Sequence, residues 1–410
     1  MKFNVDAKQL AAAFAAASKV KPSVPKGAEG FLISVCSDGP SYIYSRDRTC
    51  VVRVPLQVID ADGSVDCVYP ASAVGAFKYL SGQLTFEVTP AGNEGARVRY
   101  YRYNDPDGVE GEWLTPNPKL VAKCEADMSE ATMVEYPAAL LRVSLGTVKD
   151  YAAGKDTDVD GHEHFKTVQV FDASKPEWAK GDGVLFAANR IQAAYFECPL
   201  FKGKHFSLAA EYIPLVVTFL GDISGTVRVH NSPHMVFFEG DGGRILGILH
   251  RVHTHPKYAY YSLDKDTFVF GVDRDVVLNA LRYMREEMAS KASGKKIRLV
   301  YDHERVALVL QKLESYSKAR SDKVPVKVKE IAENKSFTTY VNIDHMVGLF
   351  EGAVCNEVEL RVAIIKELDG REVAAFRTID PAIYSPDGKP AVDKEGAVEC
   401  KVTRFMPSME

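Results

Sequence analysis

The chain has 410 residues, of which 46% are hydrophobic and 26% charged, and a formal net charge of -4. This is the composition of a globular protein too long for one ordinary core, and it excludes collagen-like, low-complexity and strongly basic classes. Any nucleic-acid contact has to come from basic residues gathered on one face of an otherwise acidic molecule.

Six times along the chain a short β-prone run leads into an amphipathic helix. The stretches are FNVDAKQLAAAF from Phe3, VDCVYPASAVGAF from Val65, MVEYPAALLRVSL from Met133, FSLAAEYIPLVVTFL from Phe206, FVFGVDRDVVLNAL from Phe268 and TYVNIDHMVGLF from Thr339. Their starts are spaced about 60–75 residues apart, longer than the common solenoid periods. Asp6, Asp273 and Asp344 suit the helix N-cap, and Pro70 and Pro137 suit the cap or first helical position. Apolar residues three or four apart, such as Leu10 with Phe14 and Val277 with Leu281, predict one buried stripe per helix. Pro214 fits the fourth helix only in its first turn.

Between the helices, alternating β-prone runs separated by Asp-Gly turns predict mostly antiparallel strands. Residues 115–131 and 253–266 look like linkers and divide the six units into three pairs. The expected domains are 1–120, 130–254 and 264–410. Residues 150–163, 313–335 and 380–396 look like insertions in surface loops.

Seven cysteines (Cys36, Cys50, Cys67, Cys124, Cys198, Cys355 and Cys400) stand singly with no CxxC pair, which suits a reducing cytoplasm. Asp6, Lys8 and Gln9 interrupt the Ala-rich start, so a signal peptide is not expected. No apolar run reaches the ~18 residues of a membrane span. Asp156, Asp158, Asp160 and Gly161 open like a calcium loop, but Thr167 stands where the bidentate Glu belongs. His250, His253 and His255 lack the fixed helical spacing of zinc proteases. No nucleophile–His–Asp arrangement is evident, so neither a catalytic site nor a resident metal or cofactor is expected.

The opening MKFNVDAKQLAAAF, the later GVDRDVVLNALRYM and the ending VTRFMPSME together resemble the bacterial DNA polymerase sliding clamp, the beta clamp. Identity is low, and the resemblance lies in order and module count over the whole chain. It implies an α+β DNA clamp fold of three similar domains, each of two βα units, with mostly antiparallel sheets outside and two helices inside a ring. It further implies a non-enzymatic processivity factor that encircles duplex DNA without regard to sequence. The partners would be a replicative DNA polymerase and a clamp loader, and no membrane. The low identity and extra loops suit a phage-encoded version.

Spaced about 8–10 Å apart, six helices around a ring would leave a hole of roughly 5–9 Å and twelve a hole of roughly 20–27 Å. If DNA passes through, a head-to-tail homodimer is therefore expected. The residues expected to face phosphate are Lys8, Lys19, Lys21, Lys26, Lys78, Arg142, Lys149, Arg282, Arg285 and Lys291. By resemblance, a partner-peptide pocket would draw on Val168, Asn189, Arg190, Ile191, Pro256, Tyr261, Met406 and Pro407; Ile191 and Met406 equally suit a plain core. The strand 97–103 is expected at the edge where two copies meet. Two rival readings are a metal-dependent enzyme built on His250–His255 and a clamp-like interaction protein that does not encircle DNA.

Overall fold

The computed structural model describes residues 1–23, 29–91, 95–154, 157, 163–171, 183–189, 191–250, 268–289, 295–304, 306–312, 321–331, 336–366, 372–385, 387–390 and 398–407. The chain forms two compact units. The first is Met1–Ala138 with Thr218–His250, and the second is Ala139–Val217 with Arg251–Glu410.

All six strand-to-helix steps are present. Helix α1 (Ala7–Ala17) follows strand Lys2–Asp6, and a 3-10 helix (Ala71–Tyr79) follows Val65–Pro70. Helix α2 (Cys124–Met128) is an addition to the pattern. The remaining four steps lead into α3 (Ala138–Val148), α4 (Ile213–Gly221), α5 (Arg274–Ala289) and α6 (Ile343–Glu351). The Asp6 carboxylate accepts from the backbone N–H groups of Lys8 and Gln9, both at 3.0 Å. Asp273 likewise accepts from Val276 at 3.0 Å. Both are the expected N-caps. The sixth cap differs: Asn342 accepts from Asp344 and His345, while Asp344 sits in the first turn and pairs with Lys295. Pro214 is the second residue of α4, where its missing N–H costs nothing.

The first unit holds two antiparallel sheets. One has five strands in the order Val58–Ala61, Lys2–Asp6, Gln83–Pro90, Gly95–Arg102, Asp105–Pro116. The expected edge strand is therefore internal, and the edges are Val58–Ala61 and Asp105–Pro116. The other sheet has eight strands and is completed where Ile245–Leu249 pairs with Cys50–Leu56. Phe14 of α1 stacks on Phe77 at 5.4 Å and meets Phe31 edge-on at 5.3 Å. Each fully buried Phe of this cluster contributes on the order of 2–3 kcal/mol.

The stretch read as a linker from 115 to 131 carries α2, which docks on the eight-stranded sheet. Cys124 is buried, Glu125 receives Arg53 at 2.5 Å and the Tyr44 hydroxyl at 2.8 Å, and Asp127 pairs with Arg46 at 2.9 Å.

The second unit is built on one twelve-stranded sheet running from Phe206–Ala209 at one edge to Phe337–Asn342 at the other. Its two sequence segments meet where Ala193–Glu197 pairs with Lys401–Pro407. Helices α5 and α6 pack together over Phe268, Phe270, Leu299 and Leu360, all buried. Ser321–Ile331 is a strand of this sheet although the region 313–335 reads as a loop. Val324 and Val326 point inward between lysines, the alternation of a one-sided strand.

Candidate functional site

Helix α3 ends in a 3-10 turn, Lys149–Tyr151, whose Tyr151 hydroxyl donates to the Gly348 carbonyl at 2.7 Å. This bond fixes the following residues, Ala152–Gly154, beside α6. The Ala153 N–H donates to the Phe165 carbonyl at 2.7 Å and holds the segment extended.

The second wall is the turn between strands Val184–Ala188 and Ala193–Glu197. Asn189 closes it: its N–H donates to the Gln192 carbonyl, and its side-chain oxygen accepts from Ile191 N–H and Gln192 N–H, each at 2.8 Å. This Asx turn presents Ile191, which is 45% exposed. Gln192 then crosses to α6, donating to the His345 carbonyl at 3.3 Å.

These elements enclose a cavity of about 290 Å³ lined by Ala152, Ala153, Gly154, Thr157, Asn189, Ile191, Gln192 and His345. Burial pushes the His345 imidazole below its ordinary value, with Asp344 opposing and Lys295 adding, so the ring is neutral at pH 7. A cavity with apolar walls and an amide-rich rim suits an apolar side chain flanked by peptide groups. At the lower bound of about 300 Å³ for small-ligand sites, it takes an anchoring side chain rather than a whole cofactor.

Of the residues expected in a peptide pocket, Asn189 and Ile191 line this cavity. Val168 is buried in the strand Thr167–Phe171, and Met406 is buried in the core with Phe376 and Leu360. Pro407 pairs with Ala375 through its backbone. Arg190, Pro256 and Tyr261 lie outside the described residues. Sequence reasoning missed Ala152, Ala153, Gly154, Thr157 and His345; nothing in their local pattern marks them, because only folding brings three distant segments together.

Among the residues expected to face phosphate, Lys8, Lys21, Lys78 and Arg142 are exposed and carry no ion pair among the described residues. Lys78 lies over the Tyr79 ring at 4.8 Å. Lys19 is bound to Asp222 at 2.9 Å, and Arg282 to Glu351 at 3.0 Å. Lys149 and Arg285 are half-buried, while Lys26 and Lys291 lie outside the described residues, as do Asp156, Asp158, Asp160, His253 and His255. Among the described residues no three His, Cys, Asp or Glu side chains gather as for a metal ion, and no helix is long and apolar enough to cross a membrane.

No protein-family model and no curated protein sequence matches the chain. Solved structures do. The beta sliding clamp of Caulobacter crescentus aligns over 100% of this chain and 99% of its own, with a TM-score of 0.70 at 13% identity. The chain has the sliding-clamp fold. The DNA polymerase III beta subunit of Thermotoga maritima aligns over 100% of this chain and 99% of its own, with a TM-score of 0.65 at 16% identity. The DNA polymerase sliding clamp of Pseudomonas aeruginosa aligns over the full length of both chains, with a TM-score of 0.68 at 13% identity. The sliding-clamp fold thus spans the whole chain at 13–16% sequence identity.

Proposed function

We propose that this chain is a non-enzymatic DNA polymerase processivity factor. Two copies associate head to tail into a ring around duplex DNA, each copy built of domains 1–120, 130–254 and 264–410. The observation that carries this reading is the end-to-end sliding-clamp fold with all six strand-to-helix steps in place. Lys8, Lys78 and Arg142 on the inner helices contact phosphates, whereas Lys19 and Arg282 contribute less because acidic neighbours already engage them. Such contacts are blind to sequence and weaken with salt, as sliding requires.

The cavity beside Ile191 docks an apolar-anchored peptide from the replicative polymerase and, in turn, from a clamp loader. Tethering raises the local concentration of the polymerase at its template without tight binding to DNA. The test combines mass in solution with retention on DNA. A dimer that stays on nicked circular DNA, slides off linear DNA and lengthens primer extension is expected. A monomer at micromolar concentration, lost equally from both DNAs, would exclude the ring and favour an interaction protein that does not encircle DNA.

A further inference from the structure

Strand Ala193–Glu197 and strand Lys401–Pro407 run antiparallel with Glu197 opposite Lys401, so the next facing pair is Cys198 and Cys400. The backbone places them closely. The Cys198 N–H donates outward to the Gly183 carbonyl, extending the ladder with strand Val184–Ala188 by one residue. The Cys400 N–H donates outward to the Ala382 carbonyl on the opposite side, in register with Glu372–Asp380. Each cysteine thus turns its hydrogen-bonding groups away from the other, which defines a non-hydrogen-bonded cross-strand pair. Facing Cα atoms in such pairs are about 4.5 Å apart, within the range of about 4.4–6.8 Å that a disulfide spans. The two thiols are in hydrogen-bonding contact, and both cysteines are buried and reduced.

We propose that Cys198 and Cys400 are a redox-responsive pair that closes to a cross-strand disulfide and staples the final strand to the rest of the second unit. The oxidant is a small-molecule disulfide, RSSR. One cysteine thiolate attacks it, forming a protein–S–S–R mixed disulfide and releasing RS⁻, which takes up the proton that the attacking thiol lost. The second thiol, deprotonated in turn, displaces RSH from the mixed disulfide. In sum, the protein dithiol plus RSSR gives the protein disulfide plus two RSH. The hydrogen bond from Cys198, burial and the neighbouring sulfur raise the Cys400 thiol far above its ordinary value, so little thiolate exists at neutral pH. Both cysteines sit at strand ends, so fraying of the sheet end, rather than global unfolding, admits the oxidant. Closure is therefore slow and follows sustained oxidation. The Gln192 turn opens the same strand, so the staple tightens the wall of the cavity without touching its lining.

The test is incubation of the full-length protein with oxidised glutathione, acid quench and peptide mapping. A Cys198–Cys400 linked peptide, two hydrogens lighter than its parts, is expected, together with a thermal midpoint raised by roughly 5 °C that dithiothreitol reverses. Cys198→Ser and Cys400→Ser should each abolish that rise, while Cys36→Ser, at the exposed cysteine, should leave it intact. Complete glutathionylation of Cys36 with both Cys198 and Cys400 still free, or linkage of either to another cysteine, would overturn the proposal. The wild-type peptide map decides even if a serine variant fails to fold.

Discussion

In the first unit Cys50–Leu56 meets Ile245–Leu249 across almost two hundred residues of sequence, and in the second Ala193–Glu197 meets Lys401–Pro407 across a similar span. The backbone solution is the same antiparallel pairing; the side chains differ. At the first seam Arg53, only 9% exposed, reaches Glu125 on α2, lies 3.5 Å from Glu239, donates to the Gly243 carbonyl at 2.8 Å and stacks over Tyr42. Gly243 is needed there: its φ is 76°, and an added Cβ would approach the Tyr42 hydroxyl to 2.9 Å. At the second seam Ala193, Tyr195 and Phe405 close an apolar layer with Val184 and Phe186, and Cys198 and Cys400 lie on the opposite face of the sheet, in step with Phe196 and Val402. Both joins bury apolar side chains, Val51 with Ile245 at the first and Ala193 with Phe405 at the second. Only the first adds a buried arginine between two carboxylates, where the second has the Glu197–Lys401 pair at 3.6 Å. Salt and acid should therefore weaken the first more than the second.

The largest effect is expected from emptying the apolar seam. Phe405→Ala should cost about 3–5 kcal/mol, and urea unfolding followed by a probe in the second unit would show it. At the charged seam Arg53→Met should cost about 2–3 kcal/mol. That is less than a fully buried pair loses, because Glu125 is 45% exposed. Equal losses for the two variants at high and low salt would erase the distinction between the seams.

At the cavity, Ile191→Ala should leave unfolding unchanged within about 0.5 kcal/mol and weaken an apolar-anchored polymerase peptide by roughly tenfold, read by calorimetry. Unchanged affinity would place the docking site elsewhere.

The smallest effect concerns acid. Burial acts to raise the Glu125 carboxyl, but hydrogen bonds from Tyr44 and Arg53 outweigh it and hold the group below its ordinary 4.5. A depressed carboxyl stabilises the fold above pH 4.5 and loses that contribution as pH falls through the folded-state value. Glu125→Gln should thus cost about 0.5–1 kcal/mol at pH 7 and progressively less as pH falls through the folded-state value. A cost that persists in acid would show that α2 is held by Cys124 burial rather than by charge.

The periodic features of this fold were legible in the sequence. Apolar spacing placed all six helices, and Asp6 and Asp273 marked two starts, because capping and amphipathicity are local. At the sixth helix either Asn342 or Asp344 can cap by side-chain chemistry, and only backbone geometry chooses Asn342. Ser321–Ile331 reads as a loop by its lysines and Pro325, although Val324 and Val326 alternate with them in strand period. The 115–131 stretch is polar because α2 bonds through Glu125 and Asp127, so charge that reads as solvated linker is in fact contact. At the cavity, the resemblance names Asn189 and Ile191 but not Ala152, Gly154 or His345, whose place in the lining exists only through long-range assembly.

Neither unit is continuous in sequence. Strand Cys50–Leu56 waits for Ile245–Leu249, and Ala193–Glu197 waits for the last ten or so residues of the chain. On a ribosome that extends the chain at about 5–20 residues per second, the strand Cys50–Leu56 is left without that neighbour for roughly 10–40 s. Non-local pairing of this kind also folds slowly once complete. The nascent protein consequently spends its synthesis with open β edges, and its yield in the cell should respond to chaperone supply and translation speed more than its equilibrium stability would imply.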